Sequence, residues 1–266
     1  MIKLKQFTFI IFLSLLNLQL VGQENQGQLD VLNQKIEKGN PTSELYFKRA
    51  EIYNEQDNFD KASADYLKII DNYNSGEDKD ADLASKAYYH LAHGYMNINN
   101  DESNALKHAV KGLDIDPDHK GLLSIKAEIL YGMGQNKKAF EIYESLISEH
   151  PDDIEILTAY AQKAESHNPA KAKELYEKIL TVDASNNEAL YFLGMHYAKL
   201  SNRMYQKGDD KKLVHEKLRS GLGYLEKYQK QNPDDEQIIL NIITFYRFLG
   251  EEEKADKLSE QTNSGQ

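Results

Sequence analysis

The sequence predicts an all-α chain of stacked helical hairpins, and three observations carry that prediction. Apolar residues recur three and four positions apart in paired runs, such as Leu122 to Tyr131 and Ala139 to Ile147, with a glycine-bearing break between them. An alanine stands four residues before a tyrosine in "KKAFEIYESLISEHPDD", and the arrangement returns in "AKELYEKILTVDASN". A closing proline follows the second run, and Pro117 and Pro151 stand 34 residues apart.

Physical reasons attach to each. Alanine fits where two helix backbones approach to about 8–10 Å, and tyrosine one turn on fills the gap beside them. Pro151 suits the first turn of the next helix, where its missing N–H is not needed, and Asp152 and Asp153 favour the positive N-terminus.

In chain order, Lys3 and Lys5 precede the apolar run "FTFIIFLSLLNLQLV", which is short for a membrane span and interrupted by Asn17 and Gln19. With Gly22 before a polar stretch, residues 1–22 read as a secretory signal cleaved between Gly22 and Gln23. An uncleaved anchor is the alternative. Either way the remainder is expected outside the cytoplasm, in the periplasm or cell envelope of a bacterium. Removing residues 1–22 moves the formal net charge from −11 to −13, which argues against nucleic acid as a ligand. The chain has no cysteine, hence no lipobox thiol, disulfide or thiolate metal site.

Residues 23–42 read as an N-terminal capping helix, Leu29 to Lys38, and a linker. The first hairpin carries Ala50, Tyr53, Ala62 and Tyr66; the second Ala92, Tyr95, Ala105, Ala109 and Pro117. The third has Ala127, Leu130, Ala139, Tyr143 and Pro151, and the fourth Ala161, Ala164, Ala172 and Tyr176. Gly194, Tyr197, Gly221, Leu225 and Pro233 mark a fifth; Ile243, Tyr246 and Ala255 a sixth, with Ser259 where an aromatic should pack. Asp71 to Asp82 reads as an acidic loop, and the tail "SEQTNSGQ", residues 263–266 at the least, as disordered. In the fifth hairpin Tyr197 and Gly221 are 24 apart, so both helices should be about two turns longer, with "KGDD" as their turn.

These markers resemble the tetratricopeptide repeat family, across residues 43–262. The resemblance implies a right-handed α-solenoid of about six helix-turn-helix repeats, whose first helices line a concave groove. Mapped onto this sequence, the groove-facing residues are Glu44, Phe47, Glu51 and Asn54; Lys86, Tyr89, His93 and Met96; Glu128 and Tyr131; Gln162 and Glu165; Tyr191 and Met195; and Arg247. Members that clamp a peptide carboxylate use lysine, asparagine and arginine at fixed inward positions. This chain offers Phe47 and Glu51, then Gly121 and Ile125, which counts against such a clamp. The groove instead suits a protein or peptide segment with basic and apolar residues.

A second surface is basic: Lys199, Arg203, Lys207, Lys211, Lys212, Lys217 and Arg219, an island of +4 between Lys199 and Arg219. It suits an acidic partner, or anionic lipid if the signal is retained.

Chemical motifs are weak. "GMGQNKKA" lacks the ending of a phosphate loop, "DIDPDHKG" has His119 where a calcium loop needs glycine, and "DNYNSGEDKDAD" has Tyr73 at a ligand position. His90 and His93 share a helix face without a carboxylate at helical spacing, so no metal and no cofactor are expected. The reading is an exported non-catalytic scaffold that binds a protein or peptide segment. An accessory or weakly hydrolytic envelope enzyme, and a self-assembling array, are the alternatives, and the oligomeric state stays open.

Overall fold

The structure, a computed structural model, describes residues 24–39 and 41–263 of the chain. The signal reading of residues 1–22 and the last three residues of the tail lie outside them. The described residues are helices joined by short turns. The first helix, α1, spans residues 24–37. Then follow α2 Ser43–Glu55, α3 Phe59–Ser75, α4 Ala81–Asn97, α5 Glu102–Ile115, α6 Lys120–Gly132, α7 Asn136–Glu149, α8 Ile154–His167, α9 Pro169–Val182, α10 Asn187–Lys207, α11 Lys211–Gln231, α12 Glu236–Phe248 and α13 Glu252–Asn263. None of these helices is long and apolar enough to cross a membrane.

The short acidic stretches are helix starts. Asn58, Asp80, Asp101, Asp153, Asn168, Asn186, Asp210 and Asp235 each stand at an N-cap and accept a bond from the backbone N–H three residues on. His119 does the same through Nδ1, so "DIDPDHKG" is a turn and a cap. Each such cap stabilises its helix by about 1 kcal/mol. Pro151 departs from expectation: it lies in the turn, two residues ahead of the capping Asp153, rather than in the first turn of α8.

The chain divides within α7 into two compact units, one up to Ile142 and one from Tyr143. In the first, α2 pairs with α3 and α4 with α5. Ala50, Ala62, Ala92, Ala105 and Ala109 are fully buried, and Tyr66 fills the space between the backbones that they bring together. Leu29 and Leu32 of α1 cluster with Ile52, so α1 lies against α2. It is also tied through Arg49, which donates to Asn33 at 2.8 Å and grips Asp65 with two bonds of 2.6 and 2.8 Å. The acidic loop is shorter than expected. Helix α3 runs on to Ser75 because Ile69 and Ile70 remain on its buried face, and Gly76 ends it in the left-handed region at φ 79°.

In the second unit α8 pairs with α9, α10 with α11 and α12 with α13. Helices α10 and α11 have 21 residues each, against 14 in α8 and α9. Gly208, at φ 77°, turns the chain between them, and Asp210 restarts it. Their backbones approach closely at Gly194 and Gly221. The core here joins Leu218, Leu222 and Leu225 to Ile238, Ile242, Tyr246 and Ala255, with Leu258 packed against it. Leu258 anchors the last helix, so residues 259–263 are helical, which corrects the expectation of a disordered tail from Ser259.

Candidate functional site

In the first unit three of the expected groove residues, Phe47, Tyr89 and His93, join one aromatic ladder with Tyr66, His90 and His119. His90 stacks on Tyr66 with centroids 5.0 Å apart and takes edge contacts from Phe47 and Tyr89 at 5.7 and 5.3 Å. Tyr89 lies between His93 and His119, stacked on the latter at 5.4 Å. Gly121 makes room for it, since a Cβ there would meet the Tyr89 ring at 2.4 Å. Burial, with the neighbouring His93 and His119 adding like charge, lowers the His90 pKa to about 4, so the ring is neutral near pH 7. Among the described residues no three His, Cys, Asp or Glu side chains gather as metal ligands.

The other selected residues of this unit differ in availability. Glu44 and Lys86 are exposed but paired, with Lys48 at 2.7 Å and Asp82 at 2.6 Å. Asn54 spends its amide on the Tyr66 hydroxyl at 2.7 Å, and Met96 packs against the core. Glu51 and Glu128 are exposed, while Tyr131 is half-buried in ring contact with Phe140. Ile125, at a clamp position, is buried.

In the second unit Glu165, Tyr191 and Met195 of the expected groove residues meet in a defined trough of about 540 Å³, which Gln162 and Arg247 do not line. Glu165 comes from the end of α8, and Pro169 and Tyr176 from α9. Helix α10 supplies a stripe: Glu188, Tyr191, Phe192, Met195, His196, Lys199, Asn202 and Arg203. Steps of three and four keep those side chains on one helix face for four turns. Phe192 stacks on the buried Tyr176 ring at 4.3 Å and lies 5.8 Å from His196. The Tyr176 hydroxyl faces two carboxylates, Glu165 Oε1 at 2.8 Å and Glu188 Oε1 at 2.9 Å. Burial foremost, then these acceptors, raises the Tyr176 pKa and holds its proton in place. Gln162 donates to the same Glu188 oxygen at 2.8 Å. Tyr191 is 44% exposed beside Tyr228 and lines the trough.

Two surfaces that the sequence suggests as separate are thus partly one. Lys199 and Arg203 line the trough with Glu165, Tyr191 and Met195. Lys207, Lys211 and Lys212 lie around the turn between α10 and α11, and Lys217 is half-buried on α11. Arg219 is engaged elsewhere, bonded to Glu251 at 2.9 Å, and Arg247 on α12 reaches Asp256 at 3.6 Å. Glu188, Phe192, His196 and Asn202 complete the stripe beyond the expected residues, and their helical spacing from Tyr191 and Lys199 is the sequence signal that marks them.

Among known proteins, the family model described as the Psidin N-terminal TPR repeats region matches residues 91–217, and the tetratricopeptide repeat model matches residues 43–74. A solved structure of the C-terminal part of a TPR repeat-containing protein from Cytophaga hutchinsonii superposes with TM-score 0.60 at 16% identity, over 88% of this chain and 85% of that one. YrrB, described as a TPR protein with an unusual peptide-binding site, gives 0.56 at 18% identity, over 79% of this chain and 96% of its own. A tetratricopeptide repeat protein from Parabacteroides merdae gives 0.56 at 14% identity, over 84% and 79%. No curated protein sequence matches. At these identities the structures speak for the fold, an all-α solenoid, and with the two family models they establish that the chain is a tetratricopeptide repeat protein.

Proposed function

We propose that the protein is an exported, non-catalytic scaffold of a bacterial envelope that holds a protein or peptide segment in the trough along α10. The observation that carries this reading is the trough itself: a half-exposed aromatic and thioether floor, Tyr191, Phe192 and Met195, bordered by charges of both signs. Aromatic and methionine side chains supply contact area, and bordering charges steer and orient a partner. YrrB, which shares the fold, is described as having a peptide-binding site. Export rests on residues 1–22 alone.

The test is selection of peptides from a random displayed library on the protein and on a variant with Tyr191→Ala and Phe192→Ala. Peptides enriched on the former and lost on the latter, with unchanged circular dichroism, are expected. Equal enrichment on both would overturn the assignment of the trough. A chain in the envelope fraction starting at Gln23 is expected; retention in the cytoplasm would refute export.

A further inference from the structure

The trough is electrically polarised along its length. Glu165 and Glu188 are the only acids among its described lining residues, and both stand at one end. Their Oε1 atoms share one hydroxyl, so they lie within about 6 Å of each other. That hydroxyl has a single proton and serves one carboxylate at a time. The donors that hold the pair, Tyr176 and Gln162, are neutral and leave both negative charges in place. At the other end Lys199 and Arg203, exposed and one turn apart, are the only permanent cations in the lining. Phe192 and Met195 lie between the two ends.

The scale follows from helix geometry. At a rise of about 1.5 Å per residue, Lys199 and Arg203 lie about 16 and 22 Å along α10 from Glu188. An extended chain at about 3.3 Å per residue covers that distance in about five to seven residues. We infer that the trough reads a charge-polarised segment: an extended stretch with a lysine or arginine at Glu165 and Glu188, an aspartate or glutamate at Lys199 and Arg203, and about four to six positions between them filled with apolar residues. This deepens the peptide-binding reading and rests on it. A ligand positive throughout would place its far cation against Lys199 and Arg203, and a ligand negative throughout would place its near carboxylate against Glu165 and Glu188.

Four fluorescein-labelled synthetic peptides with a common apolar centre test this by anisotropy on the full chain. They carry lysine and glutamate at the two ends, lysine at both, glutamate at both, or lysine and glutamate side by side at one end. The first is expected to bind about tenfold more tightly than the rest at low salt, the sum of two exposed charge pairs. The advantage should shrink as ionic strength rises. A variant with Lys199→Glu and Arg203→Glu should transfer the preference to the peptide with lysine at both ends. Equal binding of all four peptides, or an unchanged order in that variant, overturns the charge reading. If that binding is nonetheless lost on Phe192→Ala, the peptide-binding trough survives. Binding by none of the four overturns both.

Discussion

Gly221→Ala tests whether the approach of α10 and α11 is set by backbone against backbone. A Cβ built on Gly221 would lie 2.7 Å from the Gly194 carbonyl oxygen, 3.0 Å from Tyr197 Cβ and 3.2 Å from the Ala198 nitrogen. Two of those atoms are main chain and cannot rotate away, so relief requires the helices to part along a packed interface. Overpacking of this kind costs about 1–3 kcal/mol, and the backbone contact places it at the upper end. Alanine recovers about 1 kcal/mol by helix propensity, which leaves a net loss of about 2 kcal/mol. Gly223, two residues along the same helix, is the internal control: a Cβ there meets nothing within 4 Å. Gly223→Ala should therefore stabilise by about 0.5–1 kcal/mol. For a chain of this size, each 1 kcal/mol moves the melting temperature by about 2–4 °C, so the two variants shift it in opposite directions. Urea and thermal unfolding followed by circular dichroism read both. A Gly221→Ala protein as stable as Gly223→Ala would refute the argument that this contact is closed to a methyl group.

Arg49→Met should cost about 3–5 kcal/mol in urea unfolding, because it leaves Asp65, whose side chain is 4% exposed, charged and without the guanidinium that grips it. Arg49→Met with Asp65→Leu should recover most of that loss. The second expectation concerns acid. His90 has its folded pKa lowered to about 4 by burial among Phe47, Tyr66 and Tyr89, with His93 and His119 disfavouring its charge. Below its ordinary value of about 6.5 the unfolded chain takes up a proton that the folded ring refuses. Stability from this residue is therefore complete above about pH 6.5 and lost as pH falls towards 4. His90→Phe keeps the stack and removes the titration. It should gain about 1–3 kcal/mol relative to the parent between pH 7 and pH 4, in paired unfolding curves, and a constant difference would refute the assignment.

Most of the fold was legible because it is written in a few residue types. The repeat alanines and the tyrosines of the second helices are fully buried, including Ala50, Ala62, Tyr66, Ala139, Tyr143, Ala172 and Tyr176, the alanines because two backbones cannot close on larger side chains there. Turns were less legible where polar residues sit on the outer face of a helix. Asp71 to Ser75 looked like loop, yet Ile69 and Ile70 behind them keep α3 helical until Gly76. Of the site, the sequence supplied Glu165, Tyr191, Met195, Lys199 and Arg203 but not their meeting in one place. Tyr176 was read as a core residue, which its ring is. Its hydroxyl nonetheless reaches Glu165 and Glu188, because a tyrosine buried along its whole length still carries a polar end that needs partners.

The length of α10 and α11 explains why groove and basic surface meet. Had α10 the 14 residues of α9, it would end near Leu200 and the trough would stop at Lys199. The added residues amount to two turns, and seven residues turn a helix only about 20° short of two full revolutions. Asn202 and Arg203 therefore continue the stripe of Met195 and Lys199 instead of wrapping to another side. An extension of α10 alone would leave the opposite face of those turns bare. Helix α11 is lengthened to match: Val214 and Leu218 are buried, and Ser201 donates its hydroxyl to the Val214 carbonyl at 2.9 Å inside the contact. A buried bond of this kind is expensive to leave unmade, so it fixes the two added segments against each other. The cationic end thus stands on a packed helical pair, at a distance from the carboxylates set by helix rise, and a ligand's charges can be measured against that spacing.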